Sequence, residues 1–399
     1  MLRLLLHKIR GVVLLIYQAF ILIMPASRTR AGRTQDNFPE RNADSQDTIL
    51  LEGPFRTSNA NIQWPKFLIF HITGNPALIE YYRDFLTHIH SLLSPHAEVS
   101  NYHFQIYGQS LPGFEISSPF GNFNGSYGSI SPYVKGLEAQ IQAACSALQN
   151  ALQSYSRDKN LTDKPGVILI GHSVGAYITL EIIRAARLES LLNSQSDPEI
   201  PFQQRPRIIS AICLFPTVVD IAKSRSGRIF TPLSKIPYFP GMVAVVAKLL
   251  ANLFPWEILL TLVKGITGMP HHAAVVTTAF LRSRNGVRAA LIMARDEMKL
   301  ITADRWGHEV WGAAYASTIG ERRPKLFFYF GEDDHWVADH TRNDLIAARG
   351  RNGEGEEWKP VMEIDDHGIP HGFCIRHSEE VAEKVVAYVR EVVSMDLER

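Results

Sequence analysis

Val167-Ile168-Leu169-Ile170 is a bare apolar run that ends directly in Gly171-His172-Ser173-Val174-Gly175, and a helical stretch follows from about Ala176 to Ala186. An unbroken β-branched run of this kind reads as a strand buried on both faces of a parallel sheet. The residues after it must turn the chain sharply from strand to helix, and they place glycines on either side of a serine. By chance, Gly-x-Ser-x-Gly arises in about one chain in ten of this length, so the flanking elements give it meaning. Strand, glycine-flanked serine, helix is the nucleophile elbow, in which the serine projects from the tip of a tight turn.

The same alternation runs through much of the chain. Lys66–Ile72 reads as a strand with the breaker Thr73-Gly74-Asn75-Pro76 behind it. Tyr81–Leu93 has helical spacing, Tyr102–Tyr107 is a short strand, and Leu137–Leu152 carries one apolar helix face. Ile208–Phe215 and Lys325–Phe330 are further strands, and Glu379–Val392 is a closing helix. Strands alternating with helices predict a mostly parallel sheet with crossovers, hence an α/β fold of the α/β-hydrolase type. Between about residues 216 and 323 the alternation lapses into apolar helical sequence, which predicts a cap inserted into a domain spanning 64–395. Residues 35–63 are polar and read as a linker.

Residues 1–34 hold six basic side chains and no acid around the apolar run Gly11–Met24. Fourteen helical residues span about 21 Å, short of a ~30 Å hydrocarbon core. This segment reads as an anchor, a signal peptide or an uninformative leader. The remaining residues carry 35 basic and 40 acidic side chains, and the whole chain is at +1, so no nucleic-acid partner is expected. At 46% hydrophobic and 20% charged, the chain is not a disordered one. Cys145, Cys213 and Cys374 lie far apart with no CxxC pair, which suggests neither a disulfide framework nor a zinc site.

A serine hydroxyl is a weak nucleophile and needs a base, which in turn needs an orienting carboxylate. On this fold the chain order is serine, acid, histidine. Glu332-Asp333-Asp334 follows the strand Lys325–Phe330, so its carboxylates sit on the same rim as the elbow. Asp334 is the expected acid, with Asp333 as the fallback. His371, in the loop Asp365–Phe373 before the last helix, is the expected base, with His367 and His377 competing and Ser378 as the helix cap. The backbone N–H of Val174, just after the nucleophile, is one expected oxyanion donor, and Asn75 in the loop after the early strand is the other. No metal or cofactor is implied.

The chain resembles the lipid-droplet-associated hydrolases, a branch of the α/β-hydrolase superfamily. The matching pieces are Thr73-Gly74-Asn75-Pro76 with Tyr81, Tyr82 and Phe85, the helix start Leu137–Ile141, Gly171–Tyr177, Leu214-Phe215-Pro216-Thr217 with Ser224–Gly227, Asp333–Val337, and Ile369–Phe373. The resemblance covers about residues 64–392. It implies an esterase cleaving lipid esters, sterol esters among them, at the cytosolic face of a lipid droplet or the endoplasmic reticulum. Two positions depart from the family pattern. Thr73 stands where the family usually has proline, and Ser224-Arg225-Ser226-Gly227 lacks a Pro-Asn pair.

Within the insertion, Met242–Phe254 and Trp256–Ile266 are two apolar segments joined at Pro255, carrying only Lys248, Glu257 and Lys264. Neither is long enough to span a bilayer. They suit a buried cap, a hairpin lying in a lipid monolayer, or both. Two other readings fit the same residues. One is a droplet-coating or lipid-remodelling protein with a vestigial triad, and the other is a soluble or secreted carboxylesterase of the same fold. The residues leave the oligomeric state open.

Overall fold

The computed structural model describes residues 46–54, 65–116, 135–157, 164–191, 205–311 and 323–398, except 352, 354 and 357. The basic and apolar segment 1–34 lies outside them. Among the described residues seven strands, β1 (Thr48–Glu52), β2 (Lys66–Ile72), β3 (His103–Gln109), β4 (Gly166–His172), β5 (Arg207–Leu214), β6 (Lys325–Phe330) and β7 (Val361–Ile364), form one sheet in the order β1-β3-β2-β4-β5-β6-β7. All neighbours are parallel except β1, which runs antiparallel to β3. This is the α/β-hydrolase arrangement. β1 corrects the sequence reading, because Thr48–Glu52 lies inside the stretch read as a linker. Only Ile49 of that strand is buried, so it carries almost none of the apolar alternation that would have marked it.

The central strands explain the layering. Every residue of β4 and all but the first of β2 are buried, so both faces of the sheet are covered by helices. Helices α1 (Arg83–Ser100) and α11 (Ser378–Leu397) pack as one pair, and α2 (Leu137–Arg157) and α3 (Val174–Leu191) as another. All three cysteines are buried free thiols, and burial pushes Cys145 and Cys374 up to about 12.

The strand order also decides where chemistry can occur. From β2 the chain steps outward to β3, then crosses back to lay β4 on the other side of β2. The order therefore reverses between adjacent strands, and a crevice opens beyond their carboxyl ends. Ile72 pairs with Gly171 in this register, so the loop after β2 and the turn after β4 emerge side by side.

Between β5 and β6 lie α4 (Arg225–Ser234), α5 (Phe239–Asn252), α6 (Trp256–Thr267), α7 (His271–Arg282), α8 (Gly286–Leu300) and the short α9 (His308–Trp311). Among the described residues no single helix is long and apolar enough to cross a membrane, though α4 and α5, bent by 99°, pass together by length and composition. After β6, α10 (Asp339–Arg349) returns the chain to β7.

Candidate active site

The elbow is held by two close approaches. A Cβ on Gly171 would fall 2.4 Å from the Gly175 carbonyl oxygen, and one on Gly175 would fall 2.4 Å from the Ile72 carbonyl oxygen. Any side chain at either position would push the turn off the sheet. Between them Ser173 sits at φ +56°, in the left-handed region. That conformation costs a non-glycine residue about 1–2 kcal/mol and tends to persist where the surroundings enforce it. Here the Ser173 N–H donates to Leu214 O at 3.0 Å, and Ala176 N–H donates to Ser173 O at 3.0 Å. Val174 opens α3, where backbone N–H groups have no preceding turn to bond.

The Asp334 and His371 loops meet Ser173 from the other side. Asp334 Oδ1 accepts the Trp336 N–H at 2.8 Å, and Asp334 Oδ2 lies 2.7 Å from His371 Nδ1. The Asp334 carboxylate can only accept from that nitrogen, so Nδ1 carries the proton and Nε2 is left as the acceptor. His371 Nε2 lies 2.8 Å from Ser173 Oγ. All three residues are buried. The loop carrying His371 is fixed by Asp365, whose carboxylate accepts from Tyr329 Oη and from the Ile369 N–H, each at 2.6 Å.

The competing residues lie apart from this cluster. Asp333 is exposed and 3.6 Å from Arg225, and His367 is exposed beside Asp366. His377 pairs with Glu380. Ser378 is the first residue of α11 rather than its cap, and its hydroxyl donates to Cys374 O at 3.2 Å.

His172 has a defined task inside the elbow. Its Nε2 lies 2.8 Å from His371 O, an acceptor, so Nε2 must be the protonated nitrogen. Its Nδ1 then accepts from Tyr82 Oη at 2.6 Å, and Tyr82 Oη accepts the Gly74 N–H at 2.9 Å. Burial holds the His172 ring far below the usual imidazole range, so it stays neutral. One chain of hydrogen bonds thus ties the loop after β2, the elbow and the His371 backbone together. Sequence reasoning named His172 only as part of the elbow. Tyr82 is linked to it across 90 residues, a distance no local pattern carries.

The loop after β2 comes very close to the serine, since a Cβ on Gly74 would lie 3.1 Å from Ser173 Cβ. The Asn75 side chain points toward the cap, where its Nδ2 donates to Ala290 O at 3.0 Å and to Glu297 Oε1 at 2.9 Å. Thr73 is fully buried, and among the described residues its hydroxyl has no hydrogen-bond partner. The second departure from the family pattern also has a local role. Ser224 caps α4 by accepting the Gly227 N–H at 2.9 Å, and Ser226 N–H donates to His335 O at 3.0 Å, beside Asp334. Among the described residues no group of three or more His, Cys, Asp and Glu side chains is arranged to hold a metal ion.

A family model described as lipid-droplet associated hydrolase matches residues 65–374. A lipid droplet-associated hydrolase from Gallus gallus is 25% identical over 353 residues, covering 86% of this chain and 91% of the relative. One from Homo sapiens is 25% identical over 357 residues, covering 88% and 93%. Among solved structures, the haloalkane dehalogenase DbeA from Bradyrhizobium elkani superposes with a TM-score of 0.48 at 12% identity, covering 88% of this chain and all of that one.

Proposed function

The chain belongs to the lipid-droplet-associated hydrolase family, and we propose that it cleaves carboxylic esters of lipids, sterol esters among them, with Ser173 as nucleophile, His371 as base and Asp334 as orienting acid. The observation that carries this reading is the unbroken line from Asp334 Oδ2 through His371 to Ser173 Oγ, with contacts of 2.7 and 2.8 Å. Family membership supports a hydrolase working on lipid at a droplet or membrane surface.

The geometry supports the following proposed steps. Ser173 Oγ attacks the ester carbonyl carbon while His371 Nε2 takes its proton, and Asp334 stabilises the imidazolium that forms. The tetrahedral oxyanion receives the N–H of Val174 and the N–H of Asn75. Collapse breaks the C–O bond to the alcohol, which leaves with the proton from His371. Water, deprotonated by the same nitrogen, then attacks the acyl-serine and releases the fatty acid. The positive end of α3 adds to the field at the oxyanion.

The cap supplies the surface reading. α5 and α6 each bury one apolar face, through Ala247 and Ala251 on α5 and Leu259 and Val263 on α6. Each also exposes a second apolar face. On α5 these are Val245, Leu249 and Leu253, the last 70% exposed. On α6 they are Ile258, Leu262 and Ile266. A helix apolar all round belongs inside a protein or in lipid. This outer face suits the droplet monolayer on the cytosolic side of the endoplasmic reticulum. A few such side chains entering lipid contribute several kcal/mol at about 25 cal/mol per Å².

The test is a lipid profile of cells carrying the wild type or Ser173→Ala, together with fluorophosphonate labelling. Accumulation of one neutral ester class in the mutant supports the reading. An unchanged profile with labelling retained in Ser173→Ala would contradict it.

A further inference from the structure

Glu297 takes no part in the steps above, yet it reaches the oxyanion loop from the cap. It is 4% exposed, and its Oε1 accepts from Asn75 Nδ2. Among the described residues the charged neighbour that acts on it is Asp296, another acid, and no cation is paired with it. Burying a carboxyl with one amide partner is costly, and an apolar side chain would fill the same space at lower cost. The second acceptor for Asn75 Nδ2 is Ala290 O, seven residues earlier on α8 and therefore two turns along the same face. Two acceptors face the Nδ2 group, which can donate twice, and this favours one orientation of the amide. The Asn75 side chain is clamped to the cap, while its backbone lies next to Gly74, where the loop crosses Ser173.

We propose that Glu297 is a positioning residue: from the cap it holds the Asn75 side chain so that the Asn75 backbone N–H stays aimed at the oxyanion. The proposal rests on the reading of Asn75 as an oxyanion donor. It makes the cap a structural part of the catalytic site. Substrate pressing on the cap would then be felt at the oxyanion loop, through one residue.

The test uses the full chain and a short-chain soluble ester. Glu297→Ala should lower kcat about 10- to 100-fold with KM within about threefold, since a displaced donor costs less than a deleted one. Glu297→Gln keeps a carbonyl acceptor for Asn75 Nδ2 and should restore kcat to within about threefold. Asn75→Ala keeps its backbone N–H but loses the clamp. It should match Glu297→Ala, and the double variant should be no worse than either alone. Should Glu297→Ala fail to fold, Glu297→Gln and Asn75→Ala carry the comparison. Multiplying losses in the double variant, or a dead Glu297→Gln with its melting temperature unchanged, would overturn the clamp. Ser173→Ala in parallel separates the two levels. Lost labelling in Ser173→Ala with unaffected kcat in Glu297→Ala and Asn75→Ala overturns the clamp alone. Retained labelling in Ser173→Ala overturns the serine assignment and the clamp with it.

Discussion

The rim of the sheet and the outer face of the cap are built on opposite relations to water. At the rim, polar groups are buried. Ser173, Asp334, His371, His172 and Asp365 are each less than a tenth exposed, and their side chains are paired with one another or with backbone. On α5 and α6, among the described residues, Val245, Leu249, Leu253, Ile258, Leu262 and Ile266 each leave 40% or more of their surface exposed. Burying polar atoms and exposing apolar ones both lower the stability of a chain in aqueous solution. In the proposed function each inversion has a role: one fixes geometry by removing water, and the other meets a lipid phase that replaces it.

The sharpest way to break this comparison is at the rim. Ser173→Ala and His371→Ala should each lower kcat by about 10⁶, because the two act as a unit. Ester-hydrolysis kinetics on folded variants check this, and a His371→Ala enzyme within tenfold of the wild type would dissolve the triad. Next in size is the contrast between neighbouring acids. Asp334→Asn should cost about 10⁴ by putting the imidazole in the wrong tautomer. Asp333→Asn, at an exposed site, should stay within about threefold. Equal losses would mean that the turn itself, not one carboxylate, had been disturbed.

The cap face can be tested by making it resemble ordinary protein surface. Aspartates at Leu249, Leu253 and Leu262 should cut the droplet-bound fraction on flotation at least about tenfold while leaving soluble-ester hydrolysis within about threefold. Leu259→Asp sharpens the comparison, because Leu259 is on the same helix as Leu262 but buried. It should destabilise the fold by about 2 kcal/mol or more, whatever its effect on lipid binding. Full droplet binding by the triple variant would remove α5 and α6 from the contact.

The smallest effect concerns Glu297. Burial pushes its carboxyl up to about 7 from an ordinary 4.5. The folded state therefore keeps a proton that the unfolded chain has already released, and stability falls as pH rises through that window. The loss is at most on the order of 3 kcal/mol. Glu297→Gln cannot titrate, so its melting temperature should gain on the wild type between pH 5 and 8. A constant difference across that range would show that the carboxyl ionises in the fold as it does in water.

Much of this was legible in the sequence, and what was not has a physical reason. β2, β4, β5 and β6 declare themselves because strands buried on both faces must be apolar throughout. β1 and β7 are edge strands with at most one buried residue each, so they leave little pattern. Helix α10 leaves no clear apolar stripe in the sequence because most of its residues are polar. The Gly171–Gly175 turn is local in sequence, and the fold's fixed chain order narrows the proposed acid and base to short loops. The Tyr82–His172 and Asn75–Glu297 contacts join residues 90 and 222 apart, and only the folded sheet and cap bring them together. The apolar segment Met242–Ile266 was evident from composition, but composition does not divide Leu259 and Val263, which are buried, from Leu253 and Leu262, which are not.

The most direct measurement is to treat the folded full-length protein with a fluorophosphonate and locate the adduct by peptide mass spectrometry. A single phosphonyl group on Ser173, absent from His371→Ala, is the expected result. An adduct on another residue, or none on a protein shown to be folded, would contradict the assignment of Ser173 as the nucleophile.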